Sequence, residues 1–181
     1  MYNQILFVIG SFILSKLVSK GVQTNIIVDL GHKSLPRIEN NIYSYVILQS
    51  LSLGFPIITY IIYDFSLFWL LLMHYLRFPA YRITILPLLD NENHRKYNKV
   101  LGGFAGGTSD YIWSGHASTV AYASMWILNY RNNIFLNISV ILYNLILGFL
   151  ILCTRNHYTV DVYLGWIIGS LFGYMSNCCF T

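Results

Sequence analysis

Ser114-Gly115-His116, then ASTVAYASMWILNYRNNIFLNISVILYNLILGFLILCT (117–154), then Arg155-Asn156-His157-Tyr158-Thr159-Val160-Asp161 make up the stretch that decides the fold. Its two histidines are 41 residues apart, and the apolar sequence between them is long enough to cross a bilayer twice, with a turn near Arg131. Both imidazoles therefore fall on one membrane face. Two titratable rings and a carboxylate, which hydrocarbon excludes, meet there and mark a candidate active site.

Working outward, the same length criterion divides the 181 residues into six spans, approximately Asn3 to Val18, Ile42 to Tyr63, Phe65 to Leu86, Gly115 to Tyr130, Ile134 to Cys153 and Tyr158 to Met175. The expected fold is all-α, a six-transmembrane-helix polytopic bundle forming one integral membrane domain over residues 1–181. Lys16 has to snorkel from the short first span, which carries no cleavage signal and reads as retained. Asp64 marks a tight turn between the second and third spans, and Pro56 is expected to kink the second. With 56% apolar and 10% charged residues and a mean hydropathy of +0.55, an ordinary soluble domain is excluded. The net charge of +4 is scattered among loops and forms no basic stripe, so no nucleic-acid partner is implied. Cys153, Cys178 and Cys179 have neither disulfide-framework nor metal-ligand spacing.

Six spans put the first, third and fifth connections on one side, and those hold nearly all the chemistry. His157 and Asp161 are four apart and stack on one helical face. A carboxylate one turn into a span costs roughly 2 to 3 kcal/mol relative to an apolar residue, so it needs a partner or a wet cavity. Holding one imidazole nitrogen in this way fixes the tautomer and suits the other nitrogen to nucleophilic attack. The alternative is a His/Asp hydrogen bond that only stabilises packing. Ser114-Gly115-His116 opens a helix after a Gly-rich loop containing Asp110, and free N–H groups at such a start bind anions, although Ser-Gly there also serves as a plain cap. Arg155 can grip phosphate oxygens bidentately or anchor a lipid headgroup. Arg82 and Arg77 share that ambiguity, and Arg77 lies deep enough to need a partner or a cavity. His74 and His94 read as structural or solvated.

Taken together, Ser109-Asp110-Tyr111-Ile112-Trp113-Ser114-Gly115-His116 and Arg155-Asn156-His157-Tyr158-Thr159-Val160-Asp161-Val162 resemble the sphingomyelin synthase family, a branch of the type 2 phosphatidic acid phosphatase superfamily. Weaker similarity extends to Asp29 through Pro36 and to Arg82-Ile83-Thr84-Ile85-Leu86-Pro87. The resemblance implies a six-span membrane enzyme whose catalytic triad falls on His116, His157 and Asp161. Ser114, Gly115, Arg155, Asp110 and Arg82 are the implied phosphate- and substrate-binding residues. Thr108-Ser109 stands where the family usually has Cys-Gly, and the phosphatases' Lys-x6-Arg-Pro motif is absent.

The implied reaction moves a phospho-headgroup from a glycerophospholipid to ceramide or a related lipid hydroxyl through a phosphohistidine. A diacylglycerol acceptor would make it headgroup exchange, and water would make it a lipid phosphatase or phospholipase C. A non-catalytic lipid-binding relative is the alternative of another class. No metal or organic cofactor is expected, because two histidines and an Asp suffice. The expected partners are the donor phospholipid and the ceramide or diacylglycerol-type acceptor, and a homo-oligomer is compatible with the sequence. Basic residues on the active face favour a cytoplasmic site by the positive-inside tendency. The resemblance favours the lumenal or outer face of an endomembrane of Golgi or endoplasmic-reticulum type, or of the plasma membrane, and we take the lumenal side as the expectation.

Overall fold

The computed structural model describes residues 29–38, 42–83, 113–130 and 133–179, with residues 42 and 78–83 described by backbone alone. Within them the chain is all-helical: α1 (Leu30–Ser34), α2 (Ile42–Tyr63), α3 (Leu67–Ile83), α4 (Gly115–Tyr130), α5 (Ile134–Cys153) and α6 (Thr159–Cys178). The expected first span, Asn3 to Val18, most of the third connection and His94 lie outside the described residues.

The apolar runs become helices where polar residues end them. Asn133 caps α5 by accepting hydrogen bonds from the Phe135 and Leu136 N–H groups at 3.0 and 3.2 Å. Asp64 takes a left-handed conformation (φ 47°) between α2 and α3, the tight turn its charge suggested. α3 begins two residues later than the apolar run does, because Phe65 and Ser66 are buried in the turn, where Phe65 plugs the space beside Tyr122 and Trp126. Pro56 is accommodated inside α2, which runs unbroken through it.

α4 and α6 form the tightest pair, and small residues make that closeness feasible. A Cβ at Gly165 would lie 2.8 Å from the Ser114 carbonyl oxygen, one at Gly169 would collide with the Ser118 carbonyl oxygen, and one at Gly173 would lie 2.8 Å from that of Tyr122. α2 and α5 pack chiefly against α4. Leu48, Ala117, Val120, Leu147, Ile151 and Val162 fill the core toward the histidines. Phe65, Tyr122, Ala123 and Trp126 fill it at the other end.

Two helices among the described residues are long and apolar enough to cross a membrane, Tyr43–Tyr63 and Ile134–Cys153, while α3 supplies a shorter apolar stretch, Leu67–Arg77. The outer faces of α2 and α5 are correspondingly greasy, with Ile61 75% and Phe135 80% exposed, so this surface faces apolar surroundings rather than water. Among the described residues, the expected spans at α4 and α6 are less apolar for a physical reason. α4 has only 16 residues, and both it and α6 spend positions on serine, threonine and glycine where they pack closely on each other.

Candidate active site

Four segments converge at one end of the bundle: the start of α4, the start of α6, the turn before α6 and the α1 segment. Ser114 sits at the α4 start, where its hydroxyl accepts a hydrogen bond from the Ala117 N–H at 3.3 Å. Its backbone N–H donates to the Asp161 carbonyl oxygen at 2.8 Å, so the two sequence motifs are joined directly. This bond holds His116 against His157, whose ring centroids are 5.9 Å apart at an interplanar angle of 68°.

Behind His157, Asp161 Oδ2 stands 3.7 Å from Nδ1, and the two side chains are 7% and 0% exposed. The same oxygen accepts the Tyr158 N–H at 3.1 Å, one half of a capping box that holds the carboxylate in the first turn of α6. Asp161 Oδ1 has no hydrogen-bond partner among the described residues. A buried carboxylate oxygen without a donor is unfavourable for stability.

Gln49 was not singled out by sequence, yet its carboxamide meets His116 Nε2 at 2.8 Å. An amide offers either an N–H or an oxygen, so it can hold the ring with Nε2 accepting or donating. The signal was present in the chain: a carboxamide inside the apolar run of α2 has to face inward. Arg77 is buried from α3 with its guanidinium against Gly115, where a Cβ would collide with it. Its positive charge thus lies at the positive end of α4, an arrangement suited to a shared anion. His74 meets the Thr119 hydroxyl at 2.9 Å, a packing role.

The α1 segment also reaches the site. The Asp29 carboxylate accepts hydrogen bonds from the His32 N–H at 2.9 Å, the Thr159 hydroxyl at 2.7 Å and the Thr159 N–H at 2.8 Å. Burial pushes the Asp29 carboxyl up, but these donors outweigh it and hold the group below the ordinary carboxylate value. His32 Nε2–H donates to the His157 carbonyl oxygen at 2.9 Å. Burial lowers the His32 pKa, against the opposing pull of that carbonyl and of Asp29.

Arg155 lies in the turn before α6 in a left-handed conformation (φ 56°). Its guanidinium donates to the carbonyl oxygens of His32 at 2.6 Å, Leu35 at 3.0 Å and Leu152 at 3.3 Å. In this arrangement it anchors the α1 segment. Arg82 is placed in α3 by its backbone only, and Asp110 lies outside the described residues. His116, His157, Asp161, Ser114 and Gly115 are therefore brought together, and no group of His, Cys, Asp and Glu among the described residues has a metal-holding arrangement.

Fold and site together define a membrane-associated protein, all-helical among the described residues, with a paired-histidine, aspartate-backed site. Residues 107–178 match the family model described as PAP2 superfamily C-terminal, a stretch that carries His116, His157 and Asp161. The match supports the type 2 phosphatidic acid phosphatase superfamily and does not single out the sphingomyelin synthase branch within it. No curated protein matches the chain.

Proposed function

We propose that this protein is a multi-pass membrane enzyme that transfers a phospho-headgroup from a glycerophospholipid to ceramide or a related lipid hydroxyl. The observation that carries the reading is the His116–His157 contact at 5.9 Å with Asp161 set 3.7 Å behind His157. Asp161 faces Nδ1 of His157, so attack on phosphorus falls to Nε2. An N–P bond forms as the bond to the diacylglycerol oxygen breaks, and His116 gives its proton to that oxygen. His116, now neutral, takes the proton of the acceptor hydroxyl, whose oxygen attacks phosphorus and releases His157. Asp161 stabilises the charged ring meanwhile. Acid–base assistance of this kind is typically worth about 10² to 10⁴ in rate.

The N–H groups at the α4 start, with Ser114, Gly115 and the Arg77 guanidinium, supply positive potential for the phosphoryl oxygens. Asp110, Arg82 and Arg155 complete this reading as substrate-side residues, Arg155 by way of the segment it anchors. We read residues 1–181 as a single domain, with the active face lumenal or outward in an endomembrane or the plasma membrane. An engineered glycosylation acceptor near Asn93 tests that side, since modification there requires a lumenal loop.

Hydrolysis is the second reading, favoured by the match of residues 107–178 to a superfamily named for phosphatases. The same triad serves it, with water in place of the lipid hydroxyl.

Synthesis of the protein into liposomes of phosphatidylcholine, phosphatidylethanolamine and phosphatidylinositol with fluorescent ceramide tests both readings. A new fluorescent phosphosphingolipid that disappears in His157→Ala supports transfer and identifies the donor. Diacylglycerol release without that product would replace transfer by hydrolysis. Neither product would leave a non-catalytic lipid-binding protein as the better account.

A further inference from the structure

His157 and Tyr158 precede the first turn of α6, whose opening hydrogen bonds, from the Asp161 and Val162 N–H groups at 3.1 and 3.2 Å, reach back to the Tyr158 carbonyl. The helix caps itself only in part: Tyr158 at the N-cap makes no side-chain capping bond, while its own N–H donates to the Asp161 carboxylate at 3.1 Å. The rest of what holds this corner comes from residues far away in sequence. Asp29, 130 residues distant, receives the Thr159 N–H and the Thr159 hydroxyl while also capping α1 through the His32 N–H. The Gly31 N–H donates to the Thr159 hydroxyl oxygen at 2.9 Å, and a Cβ on Gly31 would collide with that oxygen. His32 fixes the other side of Tyr158: its Nε2–H bonds the His157 carbonyl oxygen at 2.9 Å, and its ring stacks on Tyr158 at 5.6 Å and 27°. Arg155 then ties down the far end of the same segment through the carbonyls of His32 and Leu35.

We infer that Asp29 and His32 form a clip that sets the position of His157, making them positioning residues for the reaction although neither reaches the reacting atoms. The inference rests on the proposed role of His157 as nucleophile. Both the neutral Nε2–H tautomer and the cation of His32 donate to a carbonyl, so the clip acts through geometry and not through its own titration. An error of about 1 Å in a catalytic group is enough to lower a rate about a hundredfold. A clip of this kind therefore affects turnover more than lipid binding.

The test separates the hydrogen bond from the ring stack. His32→Phe keeps an aromatic ring for Tyr158 and removes the donor, whereas His32→Gln removes the ring and places an amide N–H where Nε2 was. In the full-length protein in liposomes, His32→Phe should lower kcat about tenfold to a hundredfold with KM within about twofold and an unchanged pH profile. His32→Gln should recover most of that loss. Asp29→Ala should resemble His32→Phe, and combining the two should add little, because the groups act as one unit. Thr159→Val probes the same clip from α6 if an Asp29 or His32 variant fails to fold.

A second readout is independent of turnover. The rate at which diethyl pyrocarbonate modifies His157, followed by mass spectrometry, should rise several-fold in His32→Phe and stay near wild type in His32→Gln. Wild-type-like behaviour of His32→Phe in both readouts, or equal impairment of both His32 variants, would overturn the clip. An inactive wild type with the expected modification pattern would instead overturn the function proposed for His157 and leave the clip standing.

Discussion

Tyr122 and Asp161 are equally buried, at 0% exposure, and lie toward opposite ends of the α4–α6 pair, yet their polar atoms are treated differently. The Tyr122 hydroxyl donates to the Ser66 carbonyl oxygen at 2.6 Å and pairs with the Ser176 hydroxyl at 3.0 Å, while its ring meets Phe65 edge-on at 5.3 Å. Asp161 has one oxygen on the Tyr158 N–H and near His157, and the other has no hydrogen-bond partner among the described residues. One end spends its polar groups on closing the structure. The other keeps a buried carboxyl group short of donors beside an imidazole, which is unfavourable for stability alone. Packing and chemistry are thus segregated along a single helix pair.

Substitutions at the two ends should sort accordingly. The largest effect is expected at His116→Ala, where turnover falls about 10² to 10⁴-fold, or roughly 2.7 to 5.4 kcal/mol, with little change in thermal unfolding. A folded, fully active His116→Ala protein would break the comparison at once. Next comes Gly169→Ala, whose Cβ meets the Ser118 backbone, which cannot move cheaply. It should destabilise by about 1 to 3 kcal/mol, and it should lower activity too because the seam carries both motifs. Unfolding in detergent, read beside turnover, checks both. Gln49→Leu leaves the His116 ring without the amide at 2.8 Å and should lower turnover about tenfold, roughly 1.4 kcal/mol. If instead it alters only the melting temperature, Gln49 belongs with the packing residues.

Tyr122→Phe should cost about 1 kcal/mol of stability with turnover unchanged, the mirror image of His116→Ala. The smallest expected effect concerns acid. Asp29 is held below its ordinary value by the three donors, so the folded state binds that proton more weakly than the unfolded state does. Its contribution to stability is complete above the ordinary carboxylate value of 3.8 and is lost as the pH falls through the lower folded-state value. Asp29→Asn should therefore flatten the acid end of the stability profile, and an unchanged profile would count against a depressed Asp29.

Much of this was legible in the sequence, and the parts that were not share a cause. The limits of α2, α4 and α5 coincide with polar residues that interrupt apolar runs, so hydropathy alone finds them. His157 and Asp161 announce themselves by their helical spacing and by the difficulty of placing a carboxylate in an apolar segment. Periodicity does not reveal which distant residue meets an exposed backbone group. Asp29 and His32 read as loop chemistry, and only the folded chain sets them on Thr159 and His157. Arg155 looks like a phosphate grip because nothing in its neighbours tells that its guanidinium turns toward α1. Hydropathy also reads α4 and α6 as spans like the others, whereas serine, threonine and glycine let these two helices pack closely on each other.

The glycine seam has a consequence for how natural variation in this chain would look. Gly165, Gly169 and Gly173 are not themselves reacting groups, yet each lies where a methyl would run into a backbone carbonyl at the start of α4 or within it. In a population of variants under selection for activity, those three columns would be almost as depleted of substitutions as those of His116, His157 and Asp161. A tally of intolerant positions would then roughly double the apparent size of the active centre, and only a measurement that separates folding from turnover would divide the framework from the chemistry it carries.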